Sequence, residues 1–141
     1  MELSQKDQAL FDAVNDGDVT KVKAALNGAN VNAKSEWDGA PIHVAARKGN
    51  VEIIRLLLEN KADIEAKDSV DMTPLMVAAV EGQVPAAMLL LEKGAKVTHD
   101  IVMTLSQKIR ILEENVEAGM VKPEAVKAWK AFLDKIMKNA K

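Results

Sequence analysis

Two histidines and one pair of adjacent carboxylates are the side chains best equipped for chemistry in this sequence: His43, His99, and Glu113 beside Glu114. Histidine serves as a general base or a metal ligand, but a metal site needs several ligands at fixed spacing. The two histidines stand 56 positions apart, and the chain has no cysteine to join them. Paired carboxylates divide acid and base roles only when they face one site. Neighbours on a helix point about 100° apart, so Glu113 and Glu114 read as solvated helix surface. The seven glycines fall at turns and helix ends, where backbone geometry accounts for them, and none belongs to a loop spaced to cradle phosphate. The expectation is a chain without catalytic residues, metal or cofactor. His99, alone at a helix start, reads as a surface or capping residue, and any role for His43 has to come from what packs around it.

Those side chains must be positioned by elements whose character the composition already suggests. With 141 residues, 48% of them apolar and only 3% aromatic, the chain suits one domain with a core of Leu, Ile, Val and Ala on helices. The 19 basic and 21 acidic residues leave a net charge of −2, so no global field favours nucleic acid or an anionic membrane. The balance is uneven: residues 122–141 hold six lysines against Glu124 and Asp134, a local +4, which leaves −6 over residues 1–121. That cluster reads as the solvated face of a terminal helix, ahead of a basic docking site for nucleic acid or a membrane surface. No apolar run approaches the roughly 20 residues of a membrane span, so a soluble chain is expected. Residues 1–20 lack a basic start followed by an apolar run. A cytoplasmic place is the default expectation, with an exported or periplasmic one open if a signal peptide was removed.

The organising feature is a 33-residue echo. APIHVAARKGNVEIIRLLLENKADIEAKD at 40–68 returns as TPLMVAAVEGQVPAAMLLLEKGAKVTHDI at 73–101, carrying Pro41 to Pro74, Ala45-Ala46 to Ala78-Ala79, Gly49 to Gly82, the triplet Leu56-Leu57-Leu58 to Leu89-Leu90-Leu91, and Ala62 to Ala95. A period of this length marks stacked helical units.

Each unit spells out its own helices. In the first, residues 5–35, Ser4 is an N-cap with Asp7 three residues on, and Ala9, Leu10, Ala13 and Val14 recur at helical spacing. Asn15-Asp16-Gly17 ends that helix, and Asp18 caps a second with Val19, Val22, Ala25 and Leu26 on its buried side. In the second unit, residues 36–68, Pro41 suits the first helical position, Gly49 the left-handed stop and Asn50 the next cap. Ile53, Ile54, Leu56, Leu57 and Leu58 then form an apolar stripe. The third unit, residues 69–100, repeats the plan with Thr73 as cap and Pro85 in a first turn, where proline is tolerated. After Ala95 the echo fails. Thr98 opens a long helix with Ile101, Val102, Leu105, Ile109, Leu112 and Val116 on one side, ending near Gly119. Pro123 opens another, with Val126, Trp129, Leu133 and Ile136 on one face. This pair, residues 101–141, is expected to cover the exposed side of the third unit, as the ends of a solenoid require.

Thr73-Pro74-Leu75, Pro41-Ile42-His43, the Ala-Ala-x-x-Gly turns and the Leu triplets resemble the ankyrin repeat. The resemblance implies an all-α solenoid of stacked helix-turn-helix units with short hairpin loops, capped here by two longer C-terminal helices, in a single domain over 1–141. It implies a protein-binding module whose variable positions, in the hairpin fingers and just before the turn glycines, line a concave face. Carried onto this sequence, these are Asn15 and Asp16 in the first unit, Glu36, Trp37, Gly39, Arg47 and Lys48 in the second, and Ser69, Val70, Met72, Val80 and Glu81 in the third. Trp37 is either an interface anchor or a ring folded back over its neighbours. As an anchor it would join Val70, Met72 and Val80 in an apolar centre, with Arg47, Lys48, Glu36 and Glu81 as a polar rim. His43 matches the family's histidine, which ties adjacent units by hydrogen bonds. Ala40 and Met76 depart from the family's Thr and His, and both departures remove hydrogen bonds from the turns.

A non-enzymatic protein-interaction module is therefore expected, monomeric when free. Its partner would be a folded protein, with no nucleic acid or membrane. The alternative is a dedicated inhibitor or immunity-type protein that blocks a partner enzyme's active site.

Overall fold

The capping residues do locally what their types demand. In the computed structural model, which describes residues 3–36 and 39–139, Ser4 Oγ accepts the Asp7 N–H at 3.1 Å and Asp18 Oδ1 accepts that of Lys21 at 3.2 Å. Asn50 Oδ1 accepts from Ile53 at 3.1 Å and Thr73 Oγ1 from Met76 at 3.3 Å. Each satisfies an N–H that the first helical turn leaves without a backbone partner. The helices that follow are α1 (Gln5–Asp16), α2 (Val19–Leu26), α3 (Pro41–Lys48), α4 (Val51–Glu59), α5 (Pro74–Val80), α6 (Val84–Glu92), α7 (His99–Glu117) and α8 (Pro123–Asn139). Among the described residues there is no strand, only an isolated bridge between Ser35 and Gly39. The chain divides into two compact units, Met1–Ala95 and Lys96–Lys141.

The first unit contains the three helix pairs. The turn glycines Gly17, Gly49 and Gly82 all take the left-handed conformation, φ 72°, 71° and 77°, which reverses the chain between the helices of a pair. The first helices α1, α3 and α5 pack side by side, and α2, α4 and α6 form a second row. Register carries the core: Leu10, Ile42 and Leu75 occupy equivalent places and are fully buried, and the alanines 45, 46, 78 and 79 are buried where small side chains let first helices approach. Ile53, Ile54 and Leu57 of α4 and Leu90 of α6 complete it, each contributing about 1.5–3 kcal/mol by leaving water. Ala9 is exposed instead, and Leu56 and Leu58 are half-buried, because an apolar stripe on a helix this short is wider than its neighbours can cover.

The second unit is the hairpin of α7 and α8. Ile101, Leu105 and Ile109 of α7 are buried, with Val102, Leu112 and Val116 half-buried on the flank. On α8 the buried residues are Val126, Trp129, Phe132 and Ile136, and Leu133 is only half-buried. Phe132, 2% exposed, takes the place the sequence pattern assigned to Leu133, and its ring meets Trp129 edge-on with centroids 6.0 Å apart. Lys108 Nζ lies over the indole of Trp129, 4.8 Å from its centroid, and Lys130 pairs with Glu113 across the hairpin.

Candidate functional site

Two kinds of side chain escape the packing of the first unit: those before the turn glycines and those in the hairpin fingers. Asn15-Asp16, Arg47-Lys48 and Val80-Glu81 directly precede Gly17, Gly49 and Gly82. Because α1, α3 and α5 lie side by side, these three pairs form a row along one edge of the first-helix layer. Asp16, Lys48 and Glu81 are exposed, and no ion pair joins them among the described residues, so the row presents charges of alternating sign. Asn15 is exposed, Arg47 is half-buried, and Val80 is 38% exposed.

The finger of the third repeat is built around Asp68, which the sequence reading passed over. Its carboxylate Oδ1 accepts the N–H groups of Val70 at 3.0 Å and Met72 at 2.9 Å. Its backbone closes the hairpin by accepting from Asp71 at 3.0 Å and donating to Met72 O at 3.1 Å. Asp71 completes the reversal in the left-handed region, φ 63°, which Asp tolerates better than most residues. An Asp opening a five-residue hairpin is the signal that could have identified it. Ser69 is exposed, Met72 half-buried, and Val70, at the tip, is 70% exposed.

The second finger is closed by the Ser35 N–H donating to Gly39 O at 2.8 Å, and Glu36 is exposed. Trp37 lies outside the described residues. Gly39 is buried at φ 73°, and a Cβ there would come within 2.7 Å of the Asp68 Cβ and 2.8 Å of His43 Nδ1. Packing between repeats therefore dictates this glycine. Of the expected apolar centre, Val70 and Met72 share the finger. Val80 stands at the far end of α5, about 9 Å along the axis, so the described part forms two separate apolar stations.

What holds the fingers at a fixed spacing is a set of polar ties between repeats. His43 is fully buried, and its partners settle its tautomer: Nδ1 accepts the Ala40 N–H at 3.1 Å, and Nε2 donates to Met72 O at 2.9 Å. The ring thus supplies the return half of a capping box, taking the N–H of Ala40, whose own side chain makes no cap, and fastens the base of the next finger. Burial pushes the His43 pKa below 6.5, against the opposing pull of the Met72 carbonyl and the Asp68 carboxylate. Between the first and second repeats, Asn32 donates through Nδ2 to Lys61 O at 3.1 Å and accepts the Asp63 N–H at 2.7 Å. Between the second and third, Gln83 Nε2 donates to Arg47 O at 3.0 Å.

Among the described residues no three His, Cys, Asp or Glu side chains are placed to hold a metal ion, and no helix is long and apolar enough to cross a membrane. Asp16 also rims a shallow cleft between α1 and α2 with Asp12 and Lys21, floored by alanines. The family model for ankyrin repeats, in three copies, matches residues 10–101. No curated protein matches the chain.

Proposed function

The chain belongs to the ankyrin repeat family, whose repeats mediate contacts between proteins, and on that premise we propose that it is a non-catalytic binding module for one folded protein. The partner rests against the fingers and the edge row of the first helices. The observation that carries this reading is the third finger, where an apolar side chain, Val70, is held out to solvent on a loop closed by four hydrogen bonds. A loop already ordered loses little conformational entropy when a partner arrives, so more of the contact energy appears as affinity. The alternating charges of Asp16, Lys48 and Glu81 add register, since a partner with the opposite sequence of charges is favoured and a shifted one repelled. Trp37, from its residue type alone, is a further candidate anchor for the partner.

The test compares proteins retained by the immobilised wild-type chain with those retained by a Val70→Asp, Lys48→Glu double variant of unchanged stability. A single species held by the first and lost from the second, with affinity falling about tenfold or more on purified material, supports the reading. Equal retention by both removes this face from the interface. Trp37→Ala in the same assay tests that candidate, and a loss well under about 1 kcal/mol excludes it.

A further inference from the structure

Asn27 is the one asparagine of the chain that glycine follows, and the fold sets it apart from the others as well. It ends α2 at φ −76°, ψ 91°, off the helix, and both it and Gly28 are exposed. Among the described residues neither the Asn27 side chain nor the Gly28 N–H has a hydrogen-bond partner. The equivalent asparagine of the second repeat is held on both sides: Asn60 Nδ2 donates to Leu56 O at 2.9 Å, and the N–H of Lys61 after it donates to Leu58 O at 3.1 Å. α2 has 8 residues against 9 in α4, and the turn after the shorter helix makes neither bond. Elsewhere the amide is engaged or the backbone fixed. Asn30 Oδ1 accepts the Asn32 N–H, Asn32 is tied to Lys61 and Asp63, and Asn50 Oδ1 caps α4. Asn15 and Asn115 sit inside α1 and α7, where the N–H that follows lies along the helix.

We propose that Asn27 is a self-modifying site of the folded protein, at which the Gly28 nitrogen displaces ammonia from the side-chain amide and water then leaves aspartate or isoaspartate in its place. The Gly28 nitrogen bonds to Asn27 Cγ, the Cγ–Nδ2 bond breaks, and the nitrogen's hydrogen departs with the ammonia, leaving a cyclic imide. Water then adds to one of the two ring carbonyls. Opening at Cγ gives aspartate, and opening at the main-chain carbonyl gives isoaspartate, with the chain now running through Cγ. Attacker and target are joined by few bonds, so their encounter needs only the right rotation.

At ψ 91° the Gly28 nitrogen points away from the Asn27 side chain, so ring closure waits on a flip of the peptide plane between them. Such a flip turns ψ of Asn27 against φ of Gly28 and leaves the flanking chain nearly in place. Gly28 stands at φ 104° and glycine takes either sign of φ, so the flip meets no Cβ and breaks no hydrogen bond made among the described residues. At Asn60 the same flip would have to break the Lys61 bond to Leu58 O. Either product sets a carboxylate at the negative end of the α2 dipole. Isoaspartate also lengthens the main chain by a carbon between α2 and the segment that carries Asn30 and Asn32.

The experiment keeps the purified, folded chain in neutral buffer near body temperature and digests samples with trypsin at intervals, each compared with a sample digested at the start. Cleavage after Lys23 and Lys34 places Asn27, Asn30 and Asn32 in one peptide, residues 24–34, so the peptide carries its own controls. The expected result is a gain of one mass unit in that peptide, located at position 27 by fragmentation, with isoaspartate alongside aspartate. A more acidic form of the whole protein grows in step on anion exchange. When half of Asn27 has converted, Asn30, Asn32 and Asn60 remain amides. Asn27→Gln keeps an amide on a longer arm and abolishes both signals. Conversion of Asn27 no faster than that of Asn30 or Asn32 would overturn the proposal, and so would aspartate without isoaspartate, which means direct hydrolysis with no ring. Those comparisons within the wild-type chain decide the matter even if the variant folds poorly.

Discussion

The side-chain amide of Asn32 accepts the backbone N–H of Asp63 at 2.7 Å while donating to the carbonyl of Lys61, so a single residue of the first repeat fixes the end of the second. Asn32→Ala removes both bonds at a site that water reaches, and each net bond contributes about 0.5–1.5 kcal/mol. The expected loss is about 1–2 kcal/mol in urea unfolding, with Asn32→Asp, which keeps the acceptor alone, falling between the two.

The turn glycines should differ in sensitivity although their backbones match. Gly17→Ala and Gly49→Ala both place a Cβ in the left-handed region, at a cost of about 1 kcal/mol. At Gly17 the new atom meets Asn50 Nδ2 at an ordinary 3.6 Å, whereas at Gly49 it overlaps the Gln83 side chain. Gly49→Ala must therefore also dislodge the bond from Gln83 to Arg47 O, and we expect a total of about 2–3 kcal/mol by denaturant titration. Equal losses at the two sites would show that Gln83 moves aside freely.

Asp68→Ala leaves the N–H groups of Val70 and Met72 without their acceptor. Their amide exchange should rise, with about 1–2 kcal/mol of stability lost, while Asp68→Asn retains a carbonyl oxygen and should keep most of the protection. Val70→Ala in the same loop should change stability by less than about 0.5 kcal/mol, because a side chain 70% exposed has little burial to lose.

The buried histidine sets a pH dependence with a definite sign. Its folded pKa lies below the unfolded 6.5, so unfolding takes up a proton between the two values. The contribution is complete above pH 6.5 and is lost as pH falls through that window, at a limiting slope of about 1.4 kcal/mol per pH unit. Urea titrations of the wild type against His43→Gln should show the slope in the first and its absence in the second.

In the C-terminal hairpin, Phe132→Ala should cost about 3–5 kcal/mol and Leu133→Ala distinctly less, since the first is 2% exposed and the second half-buried. Thermal unfolding followed through Trp129, which touches the Phe132 ring, reads the difference.

Much of this molecule was legible because its signals are local. Ser4, Asp18, Asn50, Thr73 and Thr98 cap helices by reaching an N–H three residues ahead, and the turn glycine needs only its own backbone, so the helix starts and the turns between paired helices follow from the residue order. The row of side chains before Gly17, Gly49 and Gly82 follows as well, since equal spacing in sequence becomes adjacency once the helices stack. Residue types alone did not separate Phe132 from Leu133: both lie near one helix face, and only the partner helix chooses which it covers. Nor did they show that Gly39 is enclosed by the repeat that follows it, or that Asp68 organises the finger tip. The enclosure of Gly39 rests on atoms about 30 residues apart in the chain, which only the stacked repeats bring together, whereas Asp68 bonds within its own loop, where residue type allows several turn geometries and only the coordinates show which is taken. The order of residues therefore determined the helices and the spacing of the repeats, and the packing of one repeat on the next decided which of the variable positions are buried and which are exposed.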